Sequence, residues 1–336
     1  MKMSKSEVSP SPVFSVLVIY FGPSPLPPSF STLPSFHPST YKLTMVAPHR
    51  NASLELPPAV IPPPWVFKTK LYLFAAPLQP VDHEDPVLQG LPPGSYNPEE
   101  TIHPSALAPV KGSPQWRGGM SKVVIIRYED SPIGPYDELI AASDGFVNPH
   151  EKGTTGRITN IYVNSQESIW HGRKNWSMSL WPTVLTFMSS DNRSFLDIPK
   201  HLARFEFTQI NSKTVNVKVS LPDSKEPFFS ASVTDSYIPS VPIPSFVLNP
   251  FLRIVQPPLL AGTPSDIMIA SNDEWVSVNP VYRGRWRVAY IQPSEGGNEF
   301  YGDGLHYPQI KPFWIGAKFS GNIHLDAGVW YTGKEE

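Results

Sequence analysis

The run I-P-K-H-L-A-R-F at residues 198–205 sets Lys200 directly after a proline and just ahead of Leu202, Ala203 and Phe205. An ammonium belongs in water, because burying a charge costs free energy unless it is paired or neutralised. A lysine carried toward a core by a strand-like run is therefore either a sheet-edge cap or a functional amine. Lysines desolvated in apolar pockets are among the activated nucleophiles of covalent catalysis.

A second group stands upstream, in G-P-Y-D-E-L at 134–139. In a strand, Tyr136 and Glu138 share one face at period 2, so both can point inward. The bland reading of Glu138 is a solvent-facing carboxylate in an Asp-Glu pair. Arg173, in G-R-K-N-W, is a third candidate, either structural or facing a substrate carboxylate, although an arginine at a helix end is usually solvated. His201 follows Lys200 directly, and in a strand the two side chains point to opposite faces.

Other constellations are weaker. His150, His171, His201, His306 and His324 lack the spacing of metal ligands, and no metal or cofactor is expected. Arg283, Arg285 and Arg287 alternate with Tyr282, Gly284 and Trp286, as on a strand with a basic outer face. Gly302-Asp303-Gly304 reads as a turn.

The 336 residues suffice for one large domain with a sizeable core, and the formal net charge of −2 gives no nucleic-acid footprint. Cysteine is absent, which excludes disulfides, a thiolate nucleophile and cysteine-ligated zinc. No apolar run is long enough to span a bilayer. Residues 13–21 are apolar and follow Lys2 and Lys5, but prolines, not a small-residue cleavage site, come after them. The expectation is a cytoplasmic protein acting on a small molecule, with no membrane or nucleic-acid partner, and homo-oligomerisation open.

Many of the 41 prolines lie in residues 1–59, which read as a disordered or non-native extension, with Met45 a second plausible start. From residue 60 to 336 the pattern is one domain of short β-branched or alternating runs. Strands are expected at 66–75, 122–128, 136–143, 157–163, 202–208, 214–221, 228–233, 281–291, 314–319 and 323–330. Ser165 caps a short helix with Glu167 in its first turn. Such an order implies a mainly β (α+β) fold, an antiparallel closed or cone-like barrel with a few short helices. Residues 177–197 fit neither flank and have the scale of a retained in-frame intron, a surface loop being the alternative.

With 177–197 set aside, G-R-K-N-W joins I-P-K-H-L-A and resembles the lysine block of the acetoacetate decarboxylase superfamily, most closely its fungal branch. G-P-Y-D-E-L resembles that family's glutamate-bearing segment, upstream of the lysine as in the family. The resemblance covers roughly residues 60–332. It implies that Lys200 forms a Schiff base and Glu138 holds substrate or protonates the enamine. Tyr136, Arg173 and His201 would bind substrate or tune the amine. His201 stands where bacterial members carry a second lysine, so less fixed positive charge adjoins the amine. Lys68 or Lys70 stands near the family's early arginine.

The implied activity is decarboxylation of a 3-oxo acid, either acetoacetate or a longer polyketide-derived acid of secondary metabolism. Trp65, Phe67, Trp170, Trp176, Trp286 and Trp314 leave room for the longer class. An imine-forming aldolase-dehydratase and a non-catalytic ligand-binding barrel are the alternatives.

Overall fold

Strand periodicity over residues 65–163 builds the centre of the molecule. In the computed structural model the described residues are 61–78, 88–98, 102–110, 112, 115–175, 200–258, 274–294 and 300–331, without the side chains of 173–175 and 249–250. The extension at 1–59 and the segment 177–197 lie outside them.

Four long strands come first, β1 (Trp65–Leu78), β2 (Gly119–Asp130), β3 (Tyr136–Phe146) and β4 (Thr155–Val163), each antiparallel to the one before. Their odd and even residues serve two cores, as a period of two requires. Val123, Ile125, Leu139 and Ala141 join Val217, Val219, Phe229 and Val233 on one face. Ile126, Tyr128, Tyr136 and Ile161 join Val276, Val278, Trp286 and Phe319 on the other.

Helix α1 (Gln166–Asn175) follows β4, and the amide of Ser168 donates to Ser165 Oγ at 3.1 Å, so Ser165 is the expected cap. The expected strand at 202–208 is two: β5 (Lys200–Leu202) lies parallel to β4, and β6 (Arg204–Gln209) lies antiparallel to β7 (Thr214–Ser220). Next come β8 (Pro227–Asp235), the short β9 (Val241–Pro242), helix α2 (Ser245–Leu252), β10 (Ile254–Gln256) and β11 (Trp275–Val278). The last three strands are β12 (Val281–Pro293), β13 (Ile315–Leu325) and β14 (Val329–Tyr331).

Sequence reasoning divided β13 at residues 320–322. The strand continues because two glycines meet across the ladder, Gly284 opposite Gly321. A Cβ on Gly284 would strike the Ser320 carbonyl and come within 2.7 Å of the Phe319 ring.

The sheet runs β14-β11-β10-β4-β3-β2-β1-β13-β12-β8-β7-β6, with β5 on β4 and β9 on β12. The architecture is mainly β with few helices, as expected. Two features depart from the expected closed antiparallel barrel. The pairs β4–β5 and β4–β10 are parallel, and among the described residues no pairing joins β6 to β14, so the sheet path is not closed. No helix among the described residues is long and apolar enough to cross a membrane.

Candidate active site

Register brings the sequence candidates together. β5 lies beside the end of β4, with Lys200 level with Ile161. β3 lies on the other side of β4 and presents Glu138 on the same face as Tyr136 and Ile140. Lys200 Nζ donates to Glu138 Oε2 at 2.9 Å, across 62 residues of sequence. Both groups are buried, Lys200 at 7% exposure and Glu138 at 4%.

Helix α1 supplies the floor. Lys200 Nζ also donates to Ser168 Oγ at 3.3 Å, and its aliphatic stem crosses the helix at Gly172. An added Cβ at Gly172 would lie 2.8 Å from Lys200 Cδ and 2.9 Å from Cε. Ser168 and Gly172 are one turn apart on one helix face. The glycine of the G-R pair is thus a clearance for the lysine. Neither it nor Ser168 was found from sequence, although the helical spacing from the Ser165 cap was there to be used.

Aromatic groups close this end of the site. Tyr128 donates to Glu138 Oε1 at 3.3 Å, and its ring centroid lies 4.4 Å from that of Tyr136. The Tyr136 hydroxyl meets Ser168 and Tyr128, and the Lys200 ammonium lies 5.8 Å from the Tyr136 ring centroid. Burial first, and the charge of Glu138 second, push the phenols of Tyr128, Tyr136 and Tyr282 well above the ordinary tyrosine range. All three stay protonated, and Tyr128 donates to Glu138. Tyr128 was also missed, yet it stands directly across the β2–β3 ladder from Tyr136.

The remaining candidates lie elsewhere. His201 turns away from the cavity, its ring centroid 6.0 Å from that of Tyr162. Lys68 and Lys70 face outward and pair with Glu129, so neither replaces an arginine at this site. The side chain of Arg173 lies outside the described residues. His171, on α1, is fully buried, edge-on to Trp65 at 5.3 Å and to Trp170 at 4.7 Å between centroids. Burial lowers its pKa to about 4, so it is neutral at physiological pH.

The lysine and glutamate open into a cavity of about 130 Å³. Its walls are Leu71, Leu73, Val124, Ile126, Ile140, Ile158, Ile161 and other mostly apolar side chains, with Tyr282 and Trp286 also in the lining. At the end opposite Lys200 stand Lys122 and Gln256. Lys122 donates to Asp144 Oδ1 at 2.5 Å and to the carbonyl of Phe251, in the last turn of α2, at 2.6 Å. Gln256 is held in turn by the backbone of Ile158, donating to its carbonyl at 3.1 Å and accepting from its amide at 2.9 Å.

A buried amine against a carboxylate can hold its shared proton on either partner. An amine that passes its proton to such a carboxylate becomes a nucleophile, here facing a largely apolar cavity. Among the described residues, no three His, Asp or Glu side chains converge as a metal site.

No protein-family model and no curated protein matches this chain in sequence. Solved structures do match. The acetoacetate decarboxylase of Legionella pneumophila aligns with TM-score 0.50 and 12% identity, over 81% of this chain and 88% of that one. A second acetoacetate decarboxylase structure aligns at 0.47 and 12%, covering 84% and 97% of the two chains. The enduracididine biosynthesis enzyme MppR aligns at 0.47 and 13%, covering 86% and 99%. At such identity the likeness to the Legionella enzyme speaks for a shared fold alone.

Proposed function

We propose that this protein is a lysine Schiff-base enzyme that decarboxylates a 3-oxo acid to a ketone. The observation that carries the reading is Lys200 Nζ, buried, 2.9 Å from Glu138 and facing an apolar cavity. Glu138 takes the ammonium proton, and the neutral amine adds to the C3 carbonyl. Loss of water gives a protonated imine. The C1–C2 bond then breaks, its electron pair moves into the imine to form an enamine, and carbon dioxide leaves. Glu138, having given its first proton to the departing water, takes up another from solvent and protonates C2 to restore the imine, and water releases the ketone and the amine.

The surroundings favour the bond-breaking step. Among the described residues lining the cavity the cations are Lys200 and Lys122, and the latter is paired with Asp144 at the far end. A substrate carboxylate near the imine therefore sits among apolar side chains, where a charged group is less stable than neutral carbon dioxide.

The test is carbon dioxide release from acetoacetate and longer 3-oxo acids by the native protein and by Lys200→Arg. Release that depends on Lys200 is expected. Condensation of a carbonyl donor without gas release would transfer the imine to an aldolase-dehydratase. Ligand binding unchanged by Lys200→Arg, with no turnover of either kind, would leave a non-catalytic binding barrel.

A further inference from the structure

We infer that the substrate is a 3-oxo acid with a long, unbranched alkyl chain, lying along the cavity from Lys200 toward Lys122. The inference rests on the Schiff-base reading, and it concerns which carbonyl compounds reach the amine.

The two polar ends of the cavity are separated by a measured length of strand. On β2, Ile126 lies directly opposite Glu138, and Lys122 lies on the same face four residues away. Four strand residues span roughly 13 Å, the length of about ten methylene groups. On β3 the same four-residue interval runs from Glu138 past Ile140 to Ala142, and Asp144 lies two residues beyond. Between the ends the facing side chains are aliphatic, with Val124, Ile140, Ile158 and Leu73 among them. A short 3-oxo acid such as acetoacetate would occupy only the Lys200 end and leave the aliphatic stretch unfilled. An extended alkyl chain has its shape and its chemistry.

The direction follows from exposure. Lys200, Glu138, Tyr128 and Tyr136 are all buried, whereas Phe251 at the Lys122 end is 66% exposed. The reacting carbonyl therefore enters first and the tail of the chain ends near Lys122 and Phe251. Carbon atoms beyond about ten would reach solvent and gain nothing further from burial.

The test uses 2-alkanones, the products expected from such acids, from acetone to 2-pentadecanone. Each is incubated with the full chain and borohydride, and the concentration giving half-maximal label on the Lys200 peptide is read by mass spectrometry. That concentration should fall about fourfold per methylene and level off near ten carbons. Ala142→Phe, which fills the cavity level with Lys122, should move the plateau to shorter chains. Equal half-saturating concentrations at every length, or a plateau that a folded Ala142→Phe protein does not move, would overturn the long-chain inference and leave the imine standing. Absence of label on Lys200 at every length would overturn the imine and the inference together.

Discussion

Two lysines line the cavity, each paired with a carboxylate, and the pairs differ in what surrounds them. Lys200–Glu138 lies at the closed end, with side-chain exposures of 6% and 5%. Lys122–Asp144 lies at the open end, with exposures of 13% and 35%. The two carboxylates come from one face of one strand, six residues apart. At the open end water shares the cost of the charges, and the carbonyl of Phe251 adds a second acceptor for the ammonium. At the closed end both partners are buried, where a pair of full charges is expensive to desolvate. Each pair sets a lysine against a carboxylate at hydrogen-bond distance, and the pairs differ in the medium around them.

The contrast breaks most sharply at Lys200. Lys200→Arg keeps a cation for Glu138 but cannot form an imine, so carbon dioxide release should fall to the uncatalysed level, as a gas-release assay would read. Glu138→Gln should lower turnover by about 10²–10⁴-fold, while imine formation, followed by borohydride labelling, falls less, because the carboxyl is used again after that step. Equal losses would make Glu138 a binding residue only. Gly172→Ala pushes against the lysine stem, and a displacement on the order of 1 Å should cost up to about 100-fold in turnover, with the fold retained by circular dichroism.

The open end should answer in stability. Lys122→Met removes the ion pair and the bond to α2, and should lower unfolding free energy by about 1–3 kcal/mol in urea titration. A comparable loss of imine formation would erase the distinction between the two ends.

His171 sharpens the closed end by its pH behaviour. Its pKa is lowered from 6.5 to about 4 by burial, so the unfolded chain binds its proton first as pH falls. Its contribution to stability is intact above pH 6.5 and declines between pH 6.5 and 4, with a slope of at most about 1.4 kcal/mol per pH unit. His171→Phe should flatten that part of the stability curve, as urea titrations at several pH values would show.

Much of the site could be read from the sequence because strand parity is simple. Tyr136 and Glu138 were placed on one inward face by period alone, and Lys200 by its apolar neighbours. The opposition of His201 to Lys200 was also legible. What sequence could not supply was register. Tyr128 joins the site only because β2 sets it across from Tyr136, and Lys122 shares the cavity only through the same pairing. Gly172 and Ser168 required knowing that the lysine stem crosses α1. The parallel pairings of β5 and β10 on β4 were hidden for a related reason, since short strands carry too few residues to declare a partner.

The central claim is that Lys200, and not Lys122, is the amine that reacts with carbonyl compounds. Borohydride reduction in the presence of 2-undecanone, followed by proteolysis and mass spectrometry, compares the two lysines in one sample. The account predicts the alkyl label on the Lys200 peptide, none on the Lys122 peptide, and no label in Lys200→Arg. Label on Lys122, or labelling that survives in Lys200→Arg, would contradict it.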